Sequence, residues 1–465
     1  MRIEFPFIGG AYTSRSSSLD AQVCQNLFPI TDQYGGKSVM ALMGTPGSKL
    51  WCSLGISGEV RGMIPWKDYL YAVIGSTLIK INSDGMVSAI IGTLSTAAGR
   101  VWMVGGFSQL FLVDALYGYY YTESTTTFTR ITDLDFPAAS SGFYLDGYFY
   151  VTRKDSDEFY ISAAEDASAW AGLDFASAED TPDDVLAGTK FRREAWMFGE
   201  TTTEIFNNSG NATYPLTRVS GGVLPFGCGA ANSIASGPEG LFWLDNHFQV
   251  RQAQGYNAVV ISTDHIEYAF STYQNKHKAI GYTYTQEGHS FYVLNIANAT
   301  WVFDVTTGLW HTRSSGTMGG RHFGNCSAFF AGKVLAGHHS NGNIYELDLG
   351  TYTDAGDTII AVRACQPIQK NRNLIFIGSL ELAFETGVGL STGQGSDPMA
   401  MLDLSTDGGK TWSNEYWASI GAIGRYDTRV IWRRLGRGRE FIFRVKISDP
   451  IKRVITGAFL EGTFA

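Results

Sequence analysis

The densest run of chemistry-bearing side chains is Arg425-Tyr-Asp-Thr-Arg429-Val-Ile-Trp432-Arg433-Arg434-Leu-Gly-Arg437-Gly-Arg439. Guanidinium groups interleaved with Trp and Tyr suit two tasks: holding nucleic-acid phosphates, or pairing with the carboxylates of a protein partner. The planar fork of arginine pairs bidentately with carboxylates, which favours a protein interface. No reaction centre is legible elsewhere. Gly36-Lys37-Ser38 ends like a phosphate loop, but Thr31 stands where that motif needs glycine. Gly387-Val-Gly389-Leu-Ser-Thr-Gly393 misses the dinucleotide-binding spacing. His338 and His339 are adjacent, so on a strand they face opposite ways and read as turn residues rather than metal ligands. Glu179, Asp180, Asp183 and Asp184 lack EF-hand spacing and read as a solvated loop. The expectation is no catalytic, cofactor or metal site, and no enzyme.

One motif is sharp. Ser405-Thr-Asp407-Gly-Gly409-Lys-Thr411-Trp412 fits the pattern Ser-x-Asp-x-Gly-x-Thr-Trp, the Asp-box that it shares in resemblance with sialidases. Its physics is that of a turn: Asp407 caps, Gly409 takes the backbone angles other residues avoid, and Trp412 packs beneath. In sialidases such boxes recur through the propeller, away from the active site. Here there is one, and a structural role is expected. A glycan-binding or sialidase-like propeller acting in receptor recognition is the rival reading that this box and the aromatic content motivate.

The elements that must carry these residues are strands. Short aromatic and β-branched runs recur seven times at roughly forty-residue spacing. They are Tyr69-Leu-Tyr-Ala-Val-Ile74, Gln109-Leu-Phe-Leu-Val113, Gly147-Tyr-Phe-Tyr-Val151, Glu194-Ala-Trp-Met-Phe198, Gly240-Leu-Phe-Trp-Leu244, Ser290-Phe-Tyr-Val-Leu294 and Gly332-Lys-Val-Leu-Ala336. A hairpin repeated at this period cannot bury its own apolar face and must stack on copies of itself. The predicted fold is all-β: a β-propeller, seven blades favoured and six possible, with a C-terminal β-sandwich-like platform and an extended N-terminal arm. The expected division is 1–54 for the arm, 55–356 for the propeller and 357–465 for the sandwich. Phe441, Phe443, Val445 and Ile447 alternate with Arg444 and Lys446, as on a half-buried strand. Few stretches show a sustained helical period, and Asp157–Ala176 is one of the few places where a short helix is expected.

Charge is unevenly shared. The first 356 residues hold 21 basic and 33 acidic side chains, a net of −12, whereas the rest hold 14 and 11, a net of +3. An acidic ring domain repels a nucleic-acid backbone rather than gripping it, although acidity also serves solubility. Five cysteines, Cys24, Cys52, Cys228, Cys326 and Cys365, are odd in number and form no Cys-x-x-Cys pair. They fit a reducing cytoplasm without disulfides or zinc. No apolar run is long enough to span a membrane, and Met1-Arg-Ile-Glu-Phe-Pro does not read as a signal peptide.

Arg429-Val-Ile-Trp432-Arg433-Arg434-Leu-Gly436-Arg437 followed by Phe441-Ile-Phe-Arg-Val445 resembles the C-terminus of the packaged-DNA stabilisation proteins of short-tailed bacteriophages. The Ser405–Trp412 turn lies where that family has a similar one. Asp20-Ala-Gln-Val-Cys-Gln-Asn26-Leu-Phe-Pro29 and Thr45-Pro46-Gly47 resemble its N-terminal arm. The resemblance implies a tail nozzle, or hub, in the virion tail, assembled in the host bacterial cytoplasm. A homohexameric ring below the portal adaptor would close the channel, retain the packaged DNA and anchor tail spikes or fibres. Double-stranded DNA would pass without sequence-specific binding, and no cofactor is implied.

Overall fold

The computed structural model describes residues 2–16, 19–32, 39–211, 214–316 and 320–464 of the chain. Gly36-Lys37-Ser38 lies outside the described residues. Strands Val60–Trp66, Tyr69–Ile74, Thr77–Ile81 and Val87–Thr93 pair in sequence order as a four-stranded antiparallel sheet. The same meander starts again at Trp102, Ala139, Val185, Ala235 and Ile280. A seventh begins with Gly324–Phe330, Lys333–His338 and Ile344–Asp348, and takes its fourth strand, Gly47–Cys52, from the N-terminal segment. Among the described residues this makes seven blades, not six.

Each recurring apolar run is the second strand of its blade. That strand is flanked by strands within its own sheet and covered on both faces by neighbouring blades. Tyr71, Ala72 and Val73 are accordingly all buried, as are Leu110, Phe111, Leu112 and Val113. Adjacent blades interlock pair by pair. Trp66 and Tyr71 pack with Leu110 and Tyr121, Phe143 and Tyr150 with Ala195 and Met197, and Phe242 with Tyr292. Val60 and Leu70 of the first blade close on Leu335 and Ile344 of the seventh. Burial of each such Leu or Phe contributes about 1.5–3 kcal/mol, so the ring is held by many equal seams.

Beyond the propeller, one sheet runs Leu27–Thr31, Met40–Gly44, Val454–Phe464, Ile375–Phe384, Val430–Gly438, with Arg2–Glu4 paired to Val454–Phe464. The second extends the sixth blade: Leu309–Arg313 is followed by Ala21–Gln25, Ala361–Ala364, Glu440–Ile447, Met399–Ser405 and Tyr416–Ser419. The two sheets bury Phe7, Leu42, Leu380, Trp432, Phe441, Phe443 and Ile455 between them. N-terminal residues therefore serve both parts of the molecule. They complete the seventh blade through Gly47–Cys52 and fill the sandwich through Ala21–Gln25, Leu27–Thr31 and Met40–Gly44.

The helix expected within 157–176 is absent. Glu158–Ala163 and Asp166–Ser177 form a hairpin whose bend places Glu165 at φ +56°. Pairing within the third blade overrides the helix propensity of its alanines. The one α-helix among the described residues is Asp264–Ser271, which buries Ile266 and Phe270 four residues apart.

Candidate interface on the C-terminal sheet edge

Val430–Gly438 is the last strand of its sheet, paired only with Ile375–Phe384 among the described residues. A register shift opposite Gly378 inserts an extra residue, with Arg434 in the left-handed region at φ +60°. This bulge breaks the in–out alternation. Arg433 and Arg434 both face solvent, and Leu435 returns to the core.

The six arginines therefore have different fates. Arg429 donates from Nε and Nη2 to the two oxygens of Glu381, at 2.9 and 2.5 Å. Arg2 reaches the same carboxylate at 2.9 Å while lying over the Phe459 ring. The hydrogen bonds from Arg429, with the charges of both arginines, hold the Glu381 carboxyl below its usual range. Arg439 donates to the Arg372 carbonyl at 2.6 Å, and Arg425 sits exposed in the loop before the strand. Arg433, Arg434 and Arg437 line an open groove of about 620 Å³ with Phe376, Ser379 and Glu461, and make no hydrogen bond or ion pair among the described residues. Trp432 is a correction to its expected place at an interface: it is buried between the sheets and donates from Nε1 to the Tyr416 carbonyl at 2.8 Å. Its indole faces inward because the alternation puts residues 430 and 432 on the core side.

The Ser405–Trp412 turn joins Met399–Ser405 to Tyr416–Ser419. Asp407 accepts from the Thr411 hydroxyl at 2.6 Å and from the amides of Thr411 and Lys410 at 2.9 and 3.0 Å. These bonds, with that from the Ser405 hydroxyl, hold its carboxyl far below the usual range. Gly408 and Gly409 take φ of +75° and +83°. Trp412 packs against the sandwich core, and the guanidinium of Arg444 lies 3.8 Å from its ring centre while pairing with buried Asp403. The side chains of Ser405, Asp407 and Thr411 are all engaged in holding the hairpin.

The other candidates are structural as well. His338 Nδ1 accepts from the amides of Ser340 and Asn341, closing a turn. Asp183 caps Thr201 and Thr202, and Asp180 pairs with Arg218. No group of three potential metal-ligating residues occurs among the described residues. Gly389-Leu-Ser391-Thr-Gly393 has the spacing of a hydrolase nucleophile elbow, but Ser391 lies in an irregular loop rather than at a strand-to-helix turn. The inner strands of the propeller enclose a cavity of about 640 Å³, lined by residues including Met63, Trp102, Tyr282 and Cys326. Arg100 stacks on Trp102 at its wall and donates to the carbonyls of Asn232 and Ile234. No helix among the described residues is long and apolar enough to cross a membrane.

Two family models match the chain. One, described as the β-propeller of bacteriophage P22 Gp10, matches residues 3–352. The other, described as the β-sandwich of the same protein, matches residues 362–463. No curated protein matches. Among solved structures, the WD40 domain of Neurospora crassa Pan2 is similar at 8% identity and a TM-score of 0.43, covering 65% of this chain and 94% of that one.

Proposed function

From its membership of the bacteriophage P22 Gp10 family, the packaged-DNA stabilisation proteins of phage virions, we propose that this chain is a tail nozzle, six copies of which form a ring below the portal adaptor. The ring closes the DNA channel after packaging, retains the genome and carries spikes or fibres. In this reading the propeller, 55–356 closed by the strand Gly47–Cys52 of the arm, is a rigid wall module. The sandwich, 357–465, together with the rest of the N-terminal arm, 1–54, is the docking platform. The role is mechanical, so no catalysis is involved.

The observation that carries this reading is the set of three arginines, Arg433, Arg434 and Arg437, that stand together on an open sheet edge and make no hydrogen bond or ion pair among the described residues. A protein that worked alone would gain nothing from leaving three guanidinium groups unpaired beside one another, whereas an assembly uses them for charge-assisted contacts. The acidic first 356 residues support the same reading, because a duplex passing such a surface slides without adhering. The test is the double variant Arg433→Glu/Arg434→Glu in phage particles. Loss of packaged DNA, with the tail missing or incomplete, is expected. Particles that keep both their DNA and a complete tail overturn the assignment.

A further inference from the structure

Two sheet edges lie side by side at one end of the sandwich. Val430–Gly438 ends one sheet and Tyr416–Ser419 ends the other, joined by the bond from Trp432 Nε1 to the Tyr416 carbonyl. The first presents Arg433, Arg434 and Arg437, and the second presents Tyr416 and Trp417, 41% and 59% exposed. Exposed arginine beside exposed Trp and Tyr is the composition of an energetic centre in a protein interface. An open edge also carries unpaired backbone donors and acceptors, ready for an added strand or loop.

We infer that this double edge binds the acidic propeller surface of a second copy of the same chain, so that copies join head to tail. The charge balance selects that occupant: each copy offers a net of −12 in residues 1–356 to meet a net of +3 beyond them. The two patches differ, so the contact is heterologous, and such contacts close into rings when the rotation allows. The inference rests on the ring reading and adds which surfaces meet.

Phage particles carrying the full-length chain provide the test. Arg437→Lys places an amine in the groove, and carbodiimide joins an amine only to a carboxylate in contact with it. A new chain-to-chain adduct, absent from wild-type particles, should map from position 437 to an Asp or Glu within residues 1–356 of another copy. The triple variant Arg433→Glu/Arg434→Glu/Arg437→Glu should lower incorporation of the chain into particles at least about tenfold, equivalent to about 1.4 kcal/mol. Its unchanged melting temperature will show that folding is intact. An adduct to a different virion protein, or a formaldehyde adduct from position 437 to duplex DNA, overturns the inference while leaving the ring intact. Normal incorporation of the triple variant, or wild-type particles in which the chain forms no ring at all, overturns both.

Discussion

The guanidinium of Arg363 donates from Nε to the Phe7 carbonyl at 2.7 Å, tying the sandwich to a point 356 residues earlier in the chain. Its other nitrogens reach the Gly10 carbonyl at 2.8 Å and Gln22 Oε1 at 2.6 Å, and the side chain is fully buried. Arg363→Ala would strand four acceptors, the Val23 carbonyl at 3.4 Å included. The expected cost is about 1–3 kcal/mol for each buried acceptor left unsatisfied. Limited proteolysis should then release the segment around Phe7–Gln22 before the propeller is cut. Equal resistance of variant and wild type would show that apolar packing of Phe5 and Phe7 holds the segment without the arginine.

Closure of the seventh blade depends on Gly47. A Cβ there would stand 2.6 Å from the Thr353 carbonyl oxygen and nearer still to that of Thr351. Backbone atoms cannot yield as a flexible side chain can, so Gly47→Ala should destabilise by about 1–3 kcal/mol. Hydrogen exchange is the direct readout. Protection should fall first in Gly47–Cys52 and its partner Ile344–Asp348, before the first six blades respond.

Acid sensitivity should trace to buried histidines. Burial, and then the charge of Arg313, holds His311 down to about 3, and neither ring nitrogen has a hydrogen-bond partner among the described residues. Between the unfolded value near 6.5 and that folded value, only the unfolded chain takes up the proton. Stability from this site is therefore complete above about pH 6.5 and falls as the pH drops toward 3. His322 and His338 are depressed in the same direction. His311→Phe, set between the rings of Phe28 and Phe291, should flatten the decline in melting temperature between pH 7 and pH 4.5. An unchanged slope would assign the acid sensitivity elsewhere.

The Asp407 turn should give way in the same direction but only in stronger acid. Its carboxyl is held far below the usual range, so the turn stays capped through mild acid and loosens only as the pH falls through that depressed value. Asp407→Ala should mobilise Trp412, read as a shift in tryptophan emission and loss of protection in Tyr416–Ser419, with the propeller blades unaffected. A variant with wild-type emission and exchange would show that Gly408, Gly409 and the Arg444–Trp412 stack suffice.

Where burial leaves a pattern in the sequence, the fold was legible. The second strands of the blades are covered on both faces, so each reads as a continuous apolar run such as Leu110–Val113. The sandwich strands were legible for a related reason: Phe441, Phe443, Val445 and Ile447 are all buried, with Arg444 and Lys446 on the half-exposed face. Gly47–Cys52 gave no such signal. Leu50 is mostly exposed on this outer strand, and its partners lie almost three hundred residues downstream. At the candidate interface the residue types were legible but their sorting was not. Pairing of Arg429 with Glu381, inward placement of Trp432 and the bulge at Arg434 depend on a cross-strand register that spacing does not encode.

The strand Gly47–Cys52 also sets a schedule. It emerges from the ribosome with the first blade, yet the edge it must join, Ile344–Asp348, is made roughly 300 residues later. At typical synthesis rates that is a wait of about 15–60 s, during which the nascent chain carries an unpaired strand and a ring with one seam open. Holdases, or nascent neighbours on the same message, would meet the protein in that interval, and the last blade is the step that ends its vulnerability.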